Sequence, residues 1–422
     1  MSGLYLSVDC GGSQTKIIYQ TSEQDTPQYE LMSPLVEEID PKKLAVYLDR
    51  KSSMGSPAPR QEAYLEWQER VFVVGDLANQ FDPEDRTNEQ KYENALYKVA
   101  AAIGVIINKS KLKLGKKKLE INLGVLLPWD EYNDRELFEA RLRKILANFK
   151  FRETVISCQL KHILIRPEGG GIAATYIRRK GSDWLHEHKL AVLMFGHRNT
   201  TSLYFDCGKL TGDSPLLGFV NFLDAVIERK SGLDRQQLSN AVMDTIHLAY
   251  NDTHKQDEGS NYYPDWAKYQ PIKNLAKAKD VELRTAECNL INSALASAQA
   301  EYWEKINKWL SKTLPGNIDV VILNGGGSQF LEPDLEPYFN ANYGGVSRGY
   351  PSSWRRTGVY LAIDDNKPMP ELIWGGEVLE SVCEKFKIDQ DEDSHNLGIR
   401  LTDCYGLFDY LLGIMEREHV SK

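Results

Sequence analysis

The sequence predicts an α/β protein built from two similar halves. A pattern of strand, tight polar turn and returning strand, followed by helix and a further strand, occurs near residues 5–166 and again near 189–323. Glycine-rich turns follow several of the predicted strands. A chain of 422 residues also exceeds what one hydrophobic core serves, so two or more domains are expected. The duplication is one of pattern, without a repeat that can be aligned. It predicts two α/β domains facing each other across a ligand cleft.

Each element follows from its local signals. Tyr5–Cys10 and Thr15–Gln20 are β-prone runs joined by Gly11-Gly12-Ser13-Gln14, which reads as a hairpin. Residues 21–60 are mixed and become rich in Pro and Ser. Glu66–Val74 predicts one strand, closed by Gly75-Asp76. From Lys91 to Ile107, Tyr92, Ala95, Leu96, Val99, Ala100 and Ile103 recur at helical spacing. Leu119–Leu127 is a buried strand ended by Pro128, residues 134–149 an amphipathic helix, and 153–166 a strand. In the second half, Lys189–Phe195 and Thr201–Phe205 are strands and Phe219–Arg229 is a helix. Residues 251–270 read as a polar loop, 280–313 as helical, and Asp319–Leu323 as a short buried strand running into glycines. Beyond Gly349 the pattern loosens until Leu401–Met415, where Tyr405, Leu407, Phe408, Leu411 and Leu412 mark a last helix.

Composition excludes several classes. Hydrophobic content of 42% and charged content of 26% are those of a globular protein. A net charge of −9 argues against direct nucleic-acid binding as the main activity. The N-terminus lacks a signal-peptide pattern and no apolar run approaches a membrane span, so a cytoplasmic location is expected. Cys10, Cys158, Cys207, Cys288, Cys383 and Cys404 form no CxxC pair and read as free thiols. The histidines show no zinc spacing; His186 and His188 read as surface residues on opposite faces of a strand. Asp389, Asp391 and Asp393 mimic the start of a calcium loop. Ser394 and Arg400 stand where such a loop needs Gly and Glu, so the segment reads as a solvated loop. Lys109, Lys111, Lys113, Lys116, Lys117 and Lys118 read as a solvated turn before a strand, with a contact for an acidic neighbour as the alternative.

Four segments carry chemistry. Asp9 ends the first strand, where a carboxylate can hold hydrated Mg²⁺. In Gly11-Gly12-Ser13-Gln14-Thr15-Lys16, backbone N–H groups, hydroxyls and one cation suit a phosphate chain. Pro167-Glu168-Gly169-Gly170-Gly171 closes the first half and opens a helix near Ile172. Gly196-His197-Arg198-Asn199-Thr200-Thr201 is a second polar turn between strands. Asn324-Gly325-Gly326-Gly327-Ser328 joins a strand to a helix start, a place where a nucleotide can lie close to the backbone.

This order resembles the actin-like ATPase superfamily, and within it the plasmid-segregation (ParM/StbA-like) group of bacterial and archaeal actins. Val73-Val74-Gly75-Asp76-Leu77-Ala78, Lys91-Tyr92, Gly124-Val125-Leu126-Leu127-Pro128 and Ala341-Asn342-Tyr343-Gly344 are similar to stretches of that group. The resemblance covers about residues 3–350. It implies two actin-like (ribonuclease H-like) α/β domains. Domain I would span 1–166 with an inserted subdomain at about 21–90, and domain II 167–350 with an insert at about 236–316. Residues 351–422 would be an extension of unassigned role. It further implies ATP or ADP with Mg²⁺ as cofactors. Asp9 would organise the metal, Gly11 to Lys16 would wrap the phosphates, and Glu168 would orient the attacking water. Gly325, Gly326, Gly327 and Ser328 would flank adenosine, and the helix bearing Glu228, Arg229 and Lys230 would cover the base. The partners implied are further copies of the chain in a filament and a DNA-binding adaptor protein, with no direct contact to nucleic acid.

One departure stands out. The family's second phosphate turn begins with an Asp that helps hold the metal-bound water, and here that position is Met194. Arg198 in the same turn can neutralise phosphate charge through its guanidinium. The leading expectation is a filament-forming ATPase with slow turnover. Two alternatives stay open: a small-molecule kinase with Asp130 of Leu127-Pro128-Trp129-Asp130 as base, and a nucleotide-binding scaffold with little turnover.

Overall fold

The structure, a computed structural model, describes residues 3–51, 57–83, 91–115, 117–254, 263–342, 370–388 and 392–420. Tyr343, Gly344, Lys116, Asp389 and Asp391 lie outside the described residues. The chain forms two compact units: residues 1–179, 377–388 and 401–422, and residues 180–376 and 389–400.

The first unit begins with β1 (Gly3–Cys10), β2 (Thr15–Thr21), β3 (Gln28–Met32), β4 (Val36–Ile39), α1 (Pro41–Lys51), β5 (Ala63–Trp67) and β6 (Arg70–Val74). It continues through α2 (Lys91–Lys109), β7 (Leu119–Leu127), α3 (Trp129–Tyr132), α4 (Arg135–Ala147), β8 (Phe149–Phe151), β9 (Thr154–Ile156), β10 (Cys158–Pro167) and α5 (Gly170–Lys180). Its main sheet has the order β10-β7-β1-β2-β3, with β10, β7 and β1 parallel. A smaller sheet, β4-β6-β5-β8-β9, draws its strands from residues 36–74 and 149–156. Leu4, Leu6 and Val8 of β1 and Ile121, Leu123 and Val125 of β7 are fully buried in the core with Val99, Ile103 and Ile106 of α2. Each such aliphatic side chain contributes roughly 1.5–3 kcal/mol by leaving water.

The second unit contains α6 (Ser182–Glu187), β11 (Lys189–Phe195), β12 (Thr200–Asp206), β13 (Lys209–Asp213), α7 (Phe219–Arg229), α8 (Arg235–His254) and α9 (Gln270–Lys273). After these come α10 (Val281–Thr313), β14 (Val320–Asn324), α11 (Ser328–Asn342) and β15 (Glu371–Trp374). Its sheet runs β13-β12-β11-β14-β15, with the last three strands parallel. Read outward from β1 and β11, the two main sheets share one topology. The duplication seen as a pattern in the sequence is therefore a duplication of sheet order. The chain closes with α12 (Leu379–Phe386), counted with the first unit, and α13 (Glu392–Val420), whose residues from 401 onward also belong there. No helix among the described residues is long and apolar enough to cross a membrane.

Several local expectations are corrected. Glu66–Val74 is a hairpin, not one strand: Gln68 and Glu69 adopt φ of 51° and 63° and form the tight turn between β5 and β6. Two successive left-handed residues match the strand twist even without the usual Asn-Gly signal. The strand expected at 153–166 is two, because the chain leaves the small sheet after Ile156 and enters the main sheet at Cys158. His186 sits on α6, with His188 just past its end, so neither lies on a strand; the His188 ring stacks on Trp184. Helix α8 covers residues up to His254 that read as loop.

In the second unit Phe330, on the first turn of α11, is fully buried. Phe219, Phe222, Tyr263 and Tyr302 surround it with ring centroids 4.6–6.3 Å away. This cluster anchors the start of α11, and so the glycine turn before it. At its edge Tyr263 Oη donates to Asp334 Oδ2 at 2.6 Å. Burial lifts the Asp334 carboxyl to about 7, against the lowering effect of the Tyr263 hydrogen bond. A carboxyl raised in the folded state holds a proton that the unfolded chain has released. Its contribution is complete below the unfolded value of about 4 and is lost as pH rises through about 7. Thermal unfolding across this range should show stability falling with pH in the wild type. Asp334→Asn should remove that component of the slope; an identical slope in both would contradict the assignment.

Candidate nucleotide site

The first turn is set by strand pairing. Asp9 pairs with Lys16 and Cys10 with Thr15, which leaves Gly11–Gln14 as a four-residue connection. A Cβ on Gly11 would lie 2.8 Å from the Gln14 carbonyl oxygen and 3.3 Å from Lys16 Nζ, so only glycine closes the turn this way. Lys16 Nζ is 2.5 Å from Asp9 Oδ2, and the Asp9 side chain is 9% exposed. Gly12 and Gln14 are half-buried and Ser13 is exposed. Thr15 points inward and is buried, so its hydroxyl is not presented at the surface with Ser13.

Glu168 belongs to the same edge. Asp9 is in register with Leu126 of β7, and Leu126 with Arg166 of β10. Glu168 follows two residues later; its N–H donates to the Leu127 carbonyl at 2.7 Å and its side chain is half-buried. The first turn and Glu168 thus share the carboxyl end of three parallel strands, the usual place for a ligand in such sheets. Asp130, on α3 beyond β7, is exposed.

The second unit repeats this construction. Met194 pairs with Thr201 and Phe195 with Thr200, leaving Gly196–Asn199 as the four-residue turn. A Cβ on Gly196 would lie 2.8 Å from the Asn199 carbonyl oxygen, the same contact that Gly11 would make. Met194 therefore occupies the place of Asp9, and its parallel neighbour is Asn324 where Asp9 has Leu126. The carbonyls of Gly196, His197 and Arg198 accept from the N–H groups of Phe219, Val220 and Gly218, so the turn closes on the start of α7. Asn199 Nδ2 donates to the Ser214 carbonyl and Thr200 Oγ1 to that of Leu217, and both residues are buried. Those two side chains brace the unit; His197 and Arg198 remain half-exposed.

The glycine turn lies beside this second turn. Gly325 has φ of +95°, and a Cβ there would lie 2.4 Å from the carbonyl oxygen of Phe195, the residue before Gly196. Gly327 N–H donates to that same carbonyl at 2.9 Å. Ser328 is buried, its hydroxyl donating to the Gly325 carbonyl at 2.7 Å. Asn324 Nδ2 donates to the Gly375 carbonyl and Asn324 Oδ1 accepts from Gly325 N–H. Gly326 alone of the three glycines is half-exposed, and the Arg400 side chain passes 3.9 Å from where its Cβ would be. Arg400 was not legible as a neighbour of this turn, since it comes from the start of α13 and belongs to no glycine motif. Glu228 is exposed near the far end of α7, about 13 Å of helix rise from its first residue. The structure does not bring it to the second turn.

Among the described residues no group of three or more His, Cys, Asp or Glu side chains is placed to hold a metal. A divalent ion at Asp9 would draw its remaining ligands from phosphate and water, which is how Mg²⁺ is commonly held. The donor set at the first turn, one carboxylate with a cation and glycine-turn amides, fits that chemistry.

Comparison with known proteins follows this geometry. No protein-family model and no curated protein matches the chain. Solved structures do. ParM of Bacillus thuringiensis with ADP is 13% identical with a TM-score of 0.53, over 98% of this chain and 99% of that one. A 15-stranded ParM filament from Clostridium botulinum is 13% identical with a TM-score of 0.51, over 98% and 100%. An archaeal actin homologue is 12% identical with a TM-score of 0.50, over 97% and 99%. The chain has the actin-like fold, and the likeness extends past residue 350 into the part that no sequence motif reached.

If the first turn binds Mg²⁺ with phosphate, Asp9 is the motif carboxylate that couples the two. Asp9→Ala should remove the Mg²⁺ dependence of ATP binding in calorimetry. Unchanged affinity with an unchanged Mg²⁺ requirement would show the turn to be misassigned.

Proposed function

We propose that the protein binds ATP with Mg²⁺, assembles into filaments and hydrolyses the nucleotide slowly. The observation that carries this reading is the paired construction of the two turns. Both close with the same glycine contact at the carboxyl end of the same strand in equivalent sheets. Lys16 and Arg198 supply one cation to each turn. The neighbours support the reading: one is described as a ParM with ADP and another as a ParM filament.

The residues divide the work. Lys16 and the amides of Gly11 to Gln14 bind and orient the β- and γ-phosphates. Mg²⁺, when bound, neutralises charge on the phosphate oxygens, and Asp9 would hold it through water. Glu168 accepts a hydrogen bond from a water and orients it for in-line attack on the γ-phosphate. Gly326 and Arg400 flank the nucleoside. Met194 favours slow turnover, since a carboxylate is missing where a second one would help fix the metal and the water. It also motivates the reading of a nucleotide-binding scaffold. The cellular role that fits a filament of this group is the positioning of DNA through an adaptor.

Pelleting and electron microscopy with ATP, ADP and a non-hydrolysable analogue, with phosphate release measured in parallel, test both readings. Filaments with ATP and slow release support the main one; filaments without release support the scaffold; no nucleotide-dependent assembly contradicts both. In the same assay Glu168→Ala should keep assembly while slowing release by roughly 10²-fold or more, and its filaments should persist longer. Wild-type release in that variant would move the catalytic role away from Glu168.

A further inference from the structure

The turn of α13 from Asp403 to Leu407 is built into the backbone that carries Glu168. Asp403 is buried, and its carboxylate accepts three main-chain hydrogen bonds. Oδ2 takes the N–H of Gly169 at 2.7 Å, and Oδ1 takes those of Gly171 at 2.9 Å and Ile172 at 3.1 Å. These are three of the first four main-chain N–H groups after Glu168. The two helices approach through glycines: a Cβ on Gly171 would lie 2.0 Å from the Asp403 carbonyl oxygen, and one on Gly406 2.5 Å from that of Gly171. The same turn is fastened to the main sheet. Ser7 Oγ donates to the Cys404 carbonyl at 2.7 Å, two residues before Asp9, and Leu407 packs with Leu126 and Leu164.

We propose that Asp403 is a positioning residue for the hydrolytic site, fixing the peptide that carries Glu168 by holding the amides of Gly169, Gly171 and Ile172. The proposal rests on the reading of Glu168 as the water-orienting carboxylate. An N-terminal helix cap needs one acceptor for one or two amides. Asp403 uses both oxygens, and the Gly169 bond lies ahead of the helix, next to Glu168 itself. Burial pushes the Asp403 carboxyl up to about 7 and the Gly169 and Ile172 amides oppose that; Asp9 and Glu168 add like charge. The Gly169 and Ile172 amides thus offset only part of what burial and the neighbouring carboxylates impose.

Asp403→Asn keeps the shape but sets an NH₂ group against one side of the amide set. A misplaced reacting group costs rate more than binding, so kcat for ATP should fall about 10- to 100-fold while the ATP dissociation constant stays within about threefold. Hydrogen exchange of the 168–172 segment should quicken in the variant relative to the rest of the chain. Asp403→Ser, with one small acceptor, should behave likewise and serves if the Asn variant fails to fold. Wild-type kcat in a folded variant, or unchanged exchange in this segment, overturns the proposal. So does a drop in melting temperature with general loosening and normal kcat per folded molecule, which marks a cap of structural importance only. Glu168→Gln, measured alongside, separates the two failures. Wild-type turnover there removes the reading of Glu168 and the functional half of the proposal, whereas the exchange result judges the Asp403 contact by itself.

Discussion

Cys10 pairs with Thr15 and Phe195 with Thr200, so each unit must turn its chain back in four residues at the carboxyl end of a central strand. A glycine at the first of those four residues meets the carbonyl of the fourth, and any side chain there would meet it at 2.8 Å. The remaining features follow from this constraint. The strand register carries Asp9 or Met194 to the rim, and the parallel neighbours carry Glu168 in one unit and the glycine turn in the other. Helices α7 and α11 begin beside the second turn because its carbonyls, and that of Phe195, take up their first donors or those of the turn between them.

The two turns are alike in backbone and unlike in charge. The first pairs a carboxylate with an ammonium group 2.5 Å away. The second places a thioether where the carboxylate would be and brings a guanidinium from within the turn itself. Under the proposed function, each turn would offer an anion its main-chain amides and one cation, Lys16 or Arg198. A divalent ion has a protein carboxylate in only one. Under the same proposal, this difference would separate affinity for a polyphosphate from the rate of its hydrolysis, with Met194 bearing on the rate.

Much of this was legible in the sequence, for identifiable reasons. The buried strands β7 and β11 read as apolar runs, α2 as a periodic helix, and the glycine turns as breaks at strand ends. Elements set by tertiary context were missed. The turn at Gln68 and Glu69 has no glycine to mark it, and the split at Ser157 depends on which sheet accepts the chain. The candidate site's residues lie in short motifs, whereas some of the groups that brace them do not. Arg400 and Asp403 come from a helix more than two hundred residues from Glu168, and nothing in their own surroundings points back to it. Asn199, Thr200 and Ser328 lie in the motifs as expected, yet their side chains brace the turns from inside.

The central claim is the proposal that the chain binds a polyphosphate nucleotide. Calorimetric titration of ATP into the wild-type chain, with and without Mg²⁺, addresses it most directly. The account predicts saturable binding of one ATP per chain, tightened by Mg²⁺ and competed by ADP. Heat no greater than dilution at any accessible concentration, with or without the metal, would contradict it.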